Sequence, residues 1–288
     1  MAVRPGTAPA DGADLYYEVR GDGPPLLMIT GGGGDAGFYA ATGTILAERF
    51  TVISYDRRGN SRSRLHRPPA GPGYRMSVSQ QAADAIAVLA ACGAQTARVF
   101  GNSGGAIIAL DLAAHHPQAV TAVVAHEPPV LRVLPDAAVL LTLYDEVDAL
   151  LETDGWQAAF ARFQDGIGPI APGRAGLLTS LVSAAKLLGS GAMMEILTRI
   201  SANWEFLTRY ELRSFVEYEP DLDKIVASQV PIAVGHGVAT GDPLALRMTQ
   251  SVAAQLGIEC GEFPGGHAAP LEVPVKFAAT LLSLLDRL

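Results

Sequence analysis

The segment Gly101-Asn102-Ser103-Gly104-Gly105 fits G-x-S-x-G, a spacing that sets a serine on a sharp turn between a strand and a helix. Strain at such a turn draws neighbouring chain so close that side chains two positions either side of the serine would clash. The context agrees, since Val99-Phe100 precedes it as a strand and Ala106-Ile107-Ile108-Ala109-Leu110 follows as a helix. The chemistry implied is nucleophilic attack by the Ser103 hydroxyl, which needs a neighbouring base because its own pKa leaves almost no alkoxide. A helix starting at Gly104 also aims free N–H groups and its dipole at a developing oxyanion, making the Gly104 N–H one donor of an oxyanion hole. The second donor is expected from the loop after the strand 26–30, at Gly32 or its neighbour Gly33.

These residues need a scaffold, and the chain alternates short β-branched runs with amphipathic stretches, the pattern of a mostly parallel α/β sheet wound by helices on both sides. Strands are expected at 15–20, 26–30, 51–55, 97–101, 120–126, 231–235 and 258–263. Helices are expected at about 36–48, from Ser77 as cap to about 92, at 104–116, 243–256 and 273–285. Between about 130 and 223 strand-like runs vanish and helical periodicity takes over, with turns at Gly166-Ile167-Gly168-Pro169 and Ala171-Pro172-Gly173. This divides the chain into a core, 1–129 and 224–288, and an inserted helical cap, 130–223.

In this order the chain resembles the α/β-hydrolase superfamily. The stretches that carry the likeness are Tyr17-Glu18-Val19-Arg20-Gly21 leading to Pro24-Pro25-Leu26-Leu27, Asp56-Arg57-Arg58-Gly59-Asn60-Ser61-Arg62-Ser63, the serine turn, and Phe263-Pro264-Gly265-Gly266-His267. One departure is Thr30, where many members carry histidine. The resemblance implies a serine hydrolase acting on an ester or lactone without a cofactor or metal, with a triad ordered nucleophile, acid, histidine. Of six histidines, His267 in the Gly-Gly loop after the last strand is the expected base. His115, His116 and His66 suit solvated positions, while His126 and His236 sit at strand ends near the site.

Two carboxylates compete for the third place, whose task is to orient the imidazole and stabilise its charge. Asp242 follows the strand that carries the acid in many relatives, but Asp242-Pro243 also suits an ordinary helix N-cap. Glu127 closes the apolar run Ala122-Val123-Val124-Ala125, needs a partner there, and has about 1.5 Å more reach than aspartate. Its segment resembles the zearalenone-lactonase branch, in which an acid after this strand completes the triad. Glu127 is preferred and Asp242 is the alternative. Candidate substrate contacts are Asn102 and His126 beside the serine, with Trp204 and Tyr210 from the cap. Trp156, Met193, Met194 and Phe206 suit packing equally well at helical spacing.

Composition narrows the classes further. The 288 residues are 49% hydrophobic and 17% charged, enough for a large core and too apolar for extended disorder. A net charge of -8 gives no field for nucleic acid. No long apolar run or secretory leader is evident, so a cytoplasmic enzyme with a small-molecule partner is expected, its oligomeric state open and a homodimer one option. Cys92 and Cys260 read as small buried hydrophobes. The rival motif is Gly32-Gly33-Gly34-Asp35-Ala36-Gly37, a literal G-x-G-x-x-G with Asp56 near the place of a ribose acid. A dinucleotide site would leave the serine turn and His267 without a role. A slow or non-catalytic receptor on the same scaffold is the second alternative, and C–C, thioester or amide cleavage fits the same triad. A dehalogenase or epoxide-hydrolase mechanism wants a carboxylate where Ser103 stands.

Overall fold

Apolar residues at successive positions of the central strands point to opposite faces of one sheet. In a computed structural model describing residues 2–71, 73–167 and 184–288, the two faces become two separate cores. Leu27, Ile29, Ile53, Val99, Val123 and Ala125 enter the larger core; Leu26, Met28, Val52, Phe100 and Val124 enter the other. Helices cover both faces, as near-continuous apolar strands require.

The described strands are β1 (Arg4–Ala10), β2 (Ala13–Arg20), β3 (Pro25–Ile29), β4 (Thr51–Tyr55), β5 (Arg64–Leu65), β6 (Ala97–Asn102), β7 (Val120–His126), β8 (Ile232–Gly237) and β9 (Cys260–Phe263). They form one sheet in the order β1-β2-β4-β3-β6-β7-β8-β9, with β5 pairing β2. From β4 through β9 the pairs are parallel, and the β1–β2 and β2–β4 pairs are antiparallel. The α/β architecture is therefore as expected.

Helices α1 (Ala40–Leu46), α2 (Val78–Ala91) and α3 (Gly104–His115) separate the early parallel strands. α2 starts at Ser77, whose hydroxyl accepts from the Gln80 N–H. Eleven residues of α3 are buried, so this helix runs through the larger core. After β7 come α4 (Ala137–Thr153), α5 (Trp156–Ile167) and α6 (Ser190–Ala202). A turn at Trp204–Phe206, a π-helical turn at Leu207–Glu211, α7 (Leu212–Glu217) and α8 (Leu222–Ser228) follow. Between β7 and β8 no strand occurs among the described residues. The core closes with α9 (Pro243–Gln255) after β8 and α10 (Pro274–Leu285) after β9. Among the described residues no helix is long and apolar enough to cross a membrane.

Some details differ from the sequence reading. β1 and β5 were not expected, and the helix read at 36–48 is a 3-10 turn, Ala36–Tyr39, running into the shorter α1. Gly166 and Ile167 belong to α5, while Gly168-Pro169 and Ala171-Pro172-Gly173 lie outside the described residues. Cys92 and Cys260 are free and half-buried rather than fully buried, both packed against the larger core. Burial pushes the Cys92 thiol up to about 11.

Candidate active site

Parallel strands bring their C-terminal ends to one edge, where loops from different strands can converge. Gly31 follows β3, Arg57 follows β4, Ser103 follows β6, Glu127 follows β7 and His267 lies beyond β9. Backbone bonds hold adjacent ends in register: the Ser103 N–H donates to the His126 carbonyl, and the Glu127 N–H to that of Gly235, each at 2.9 Å.

Ser103 has φ 56° and ψ -126°, the strained turn expected of it, at the N-cap of α3. The glycines around it have steric reasons. A Cβ on Gly101 would lie 2.2 Å from the Gly105 carbonyl oxygen, and one on Gly105 would lie 2.0 Å from that of Ile29. Gly31 sits against the serine itself, since a Cβ there would lie 3.1 Å from Ser103 Oγ. The Ser103 carbonyl accepts from the Ala106 and Ile107 N–H groups at 2.8 and 3.3 Å.

Glu127 also adopts a left-handed backbone, φ 49°, and is 2% exposed. Its Oε2 lies 2.5 Å from His267 Nδ1, while Oε1 accepts from the Gly237 N–H at 2.8 Å and the Thr240 hydroxyl at 2.5 Å. Burial alone would raise this carboxyl, but the bonded imidazole outweighs it and brings the pKa down to about 2. Glu127 is thus an anion at neutral pH, and Nδ1 of His267 carries the proton between them. Asp242 is elsewhere engaged: its Oδ1 accepts from the Leu244 N–H at 2.8 Å as the N-cap of α9. Burial raises its pKa.

Ser103 and His267 are joined indirectly. Asn102 Nδ2 donates to the His267 carbonyl at 3.0 Å and to His126 Nδ1 at 2.9 Å, and the Ser103 hydroxyl and His267 imidazole do not hydrogen-bond to one another. Such contacts commonly tighten only with substrate bound.

Three of the expected pocket residues are placed differently. Asn102 is 3% and His126 0% exposed, so both are buried rather than open to a substrate. His126 packs edge-on against Phe263 and Phe277, and burial lowers its pKa to about 4. Tyr210 faces Tyr74 and Phe206 at a surface depression also lined by Ala202, Glu205 and Arg209, with neither Ser103 nor His267 among its walls. Trp204 does reach the loop after β3, where a Cβ on Gly33 would lie 2.8 Å from its Cδ1, and it stacks on Phe160. Leu207 lies over Gly32 and Phe215 over Gly104 in the same way.

The G-x-G-x-x-G segment is occupied by these contacts. Asp56, the would-be ribose acid, is fully buried and spends both oxygens on the Ala36 N–H and on Arg62. Sequence reasoning gave no role to Thr240, whose hydroxyl bonds Glu127, or to Arg57, whose Nη2 donates to the Gly31 carbonyl and whose guanidinium pairs with the buried Glu211. Arg57 was visible only as part of a family-like stretch, although an arginine closing an apolar strand demands a partner.

The family model described as alpha/beta hydrolase fold matches residues 24–203. A relative from Bacillus subtilis (strain 168), "Uncharacterized hydrolase YraK", is 31% identical over all of this chain and 98% of its own length. Among solved structures, the enol-lactonase from Burkholderia xenovorans LB400 aligns over 98% of this chain and 100% of its own, with TM-score 0.70 at 16% identity. A thermophilic esterase from Thermogutta terrifontis aligns over 100% and 99%, with TM-score 0.68 at 18% identity. A serine turn after β6, a histidine beyond β9 and a mostly parallel sheet between them agree with the family match, and the chain belongs to the alpha/beta hydrolase fold family.

Proposed function

We propose that the chain is a serine hydrolase that cleaves a carboxylic ester or lactone through an acyl-enzyme, with Ser103 as nucleophile, His267 as base and Glu127 as acid. The observation that carries this reading is the 2.5 Å contact from Glu127 Oε2 to His267 Nδ1, on the edge of the sheet that holds the strained serine. With Nδ1 protonated toward Glu127, Nε2 is the nitrogen free to take the serine proton. Ser103 Oγ attacks the substrate carbonyl, and the oxyanion accepts from the N–H groups of Gly104 and Gly32. Collapse releases the alcohol, or opens the lactone ring, with the proton returned from Nε2. A water activated by the same nitrogen then cleaves the acyl-serine. Glu127 remains ionised throughout, held by Gly237 and Thr240.

The helices between β7 and β8 act as a cap in this reading. Leu207, Trp204 and Phe215 present apolar side chains to the glycines around the serine, which favours an apolar acyl group. Catalysis by the enol-lactonase and the esterase that share the fold is consistent with this substrate class.

The test is steady-state hydrolysis of p-nitrophenyl butyrate and a series of lactones. Multiple turnover is expected, with stoichiometric labelling of Ser103 by a fluorophosphonate and a loss of about 10⁶-fold in kcat for Ser103→Ala. Tight binding of lactones without turnover would instead favour a receptor, and turnover surviving in Ser103→Ala would end the serine reading.

A further inference from the structure

The donors assigned to the oxyanion hole are backbone N–H groups, and a planar peptide fixes each N–H antiparallel to the carbonyl it is bonded to. The direction of the Gly104 N–H is therefore set by the Ser103 carbonyl, which α3 holds through Ala106 and Ile107. The direction of the Gly32 N–H is set by the Gly31 carbonyl. No helix or strand holds that oxygen; it accepts from the Gly34 N–H at 3.2 Å and from Arg57 Nη2 at 3.0 Å.

Arg57 is 1% exposed, and its position is fixed from the helical segment. Glu211, fully buried in the π-helical turn, takes both ends of the guanidinium, Oε1 from Nη1 and Oε2 from Nη2 at 3.0 Å. Gln81 on α2 accepts from Nη1 at 2.5 Å, and Asn60 Nδ2 reaches Glu211 Oε1 at 3.4 Å. A bidentate pair of this kind is geometrically rigid, and its charge polarises the peptide whose carbonyl it holds. The same segment ties the rest of the loop, with Asn203 Nδ2 donating to the Gly33 carbonyl at 2.9 Å and Arg199 Nε to Asp35 Oδ2 at 2.5 Å.

We propose that Arg57 and Glu211 are positioning residues for the oxyanion hole: Glu211 locks Arg57, Arg57 holds the Gly31 carbonyl, and the Gly32 N–H is thereby aimed at the developing charge. The hole is complete only while the turn carrying Glu211 is seated on the core. The inference rests on the serine-hydrolase reading above and assigns a catalytic consequence to an ion pair that touches no substrate.

The experiment measures p-nitrophenyl butyrate turnover, and inhibition by a trifluoromethyl ketone and its methyl ketone counterpart, in Arg57→Met, Glu211→Gln and Arg58→Met. Arg58 is the matched control, a buried arginine paired with Asp84 that makes no bond to the loop. Removing one oxyanion donor outright costs about 10²–10³ in kcat, so mis-aiming one is expected to cost about 10–10²-fold in Arg57→Met with KM within about threefold. The trifluoromethyl ketone, which forms a tetrahedral adduct on Ser103, should weaken by the same factor while the methyl ketone does not. Glu211→Gln keeps the shape and removes the charge, should lose less in the same sense, and decides the question if Arg57→Met does not fold. Slow but complete fluorophosphonate labelling shows that Ser103 and His267 are intact. Parental kcat in both variants, or an equal loss in Arg58→Met, overturns the proposal. An active Ser103→Ala would instead overturn the serine reading on which it rests.

Discussion

Ser103 is flanked by two kinds of structure. On the sheet side its surroundings are main chain: Gly101 faces the Gly105 carbonyl, Gly105 faces the Ile29 carbonyl, and the serine N–H is bonded to His126. On the side of the helical segment the neighbours are side chains, Leu207 over Gly32, Trp204 over Gly33 and Phe215 over Gly104. Backbone packed on backbone cannot relax without moving a strand, whereas side chains can change rotamer. The main-chain side is thus the rigid one and the apolar side-chain side the adaptable one, and substitutions on the two sides should behave differently.

Among substitutions that spare the serine, the largest effect is expected where the rigid side carries charge. Glu127→Gln keeps the size of the side chain, but with its amide oxygen held by the Gly237 N–H and the Thr240 hydroxyl it presents an NH2 donor to His267 Nδ1 in place of the acceptor Oε2, and kcat should fall by roughly 10⁴-fold. Asp242→Ala should leave kcat within about threefold and cost about 1 kcal/mol of stability by removing the N-cap of α9. Steady-state kinetics and urea unfolding of both variants check this. A deeper kinetic loss for Asp242→Ala would transfer the acid to the loop after β8.

Steric substitution on the same side comes next. An alanine methyl at Gly105 would meet the Ile29 carbonyl oxygen at 2.0 Å, so β3 and α3 must part. Gly105→Ala should lose more than about 3 kcal/mol or fail to yield folded protein, as circular dichroism and urea melts would reveal. Full stability would mean that the main-chain side yields after all.

Acid should act on this side as well. His126 is wholly buried and neutral, with its pKa moved from 6.5 to about 4. In the unfolded chain it binds a proton at the higher value, so between pH 6.5 and 4 the unfolded state holds more protons. Native stability is full above that window, declines as pH falls through it, and is lower by about 3 kcal/mol from this group once pH reaches 4. Urea midpoints for the parent and His126→Gln at pH 7 and 4.5 isolate the contribution, and equal acid sensitivity in both would assign the decline to other groups. Glu127 acts at lower pH, since its depressed pKa supplies stability present above about 4.5 that is lost as pH falls toward 2.

What the sequence revealed follows the same division. The serine turn was legible because local strand-to-helix patterning and glycine spacing are requirements of the backbone. The inner parallel strands β3, β4, β6 and β7 were legible because they are largely buried on both faces. β1 was not: Arg4-Pro5-Gly6-Thr7-Ala8-Pro9-Ala10 has little β-propensity, and only Ala8 is buried, because it pairs at an edge where proline is tolerated. Gly6 admits the ring of Tyr17, a contact no local pattern announces. The partner of Arg57 lies 154 positions away on a π-helical turn, and pairings at that separation leave no periodicity to read.

The smallest effect is expected at Gly32, and it tests the adaptable side most directly. A Cβ there would lie 2.6 and 2.9 Å from the two Leu207 methyl groups, with no backbone atom among the nearest contacts. Gly32 is not among the residues with positive φ, so alanine brings no backbone strain, and the N–H assigned to the oxyanion is retained. Leu207 can turn away, at a cost of about 1 kcal/mol for the overpacking. Gly32→Ala should therefore remain folded and keep kcat within about threefold, while KM for bulky acyl esters rises more than for acetyl esters as Leu207 moves into the space beside the serine. Kinetics over p-nitrophenyl esters of increasing acyl length measure this. A loss of stability rivalling that of Gly105→Ala would show that Leu207 is as fixed as the main chain and that the two sides do not differ.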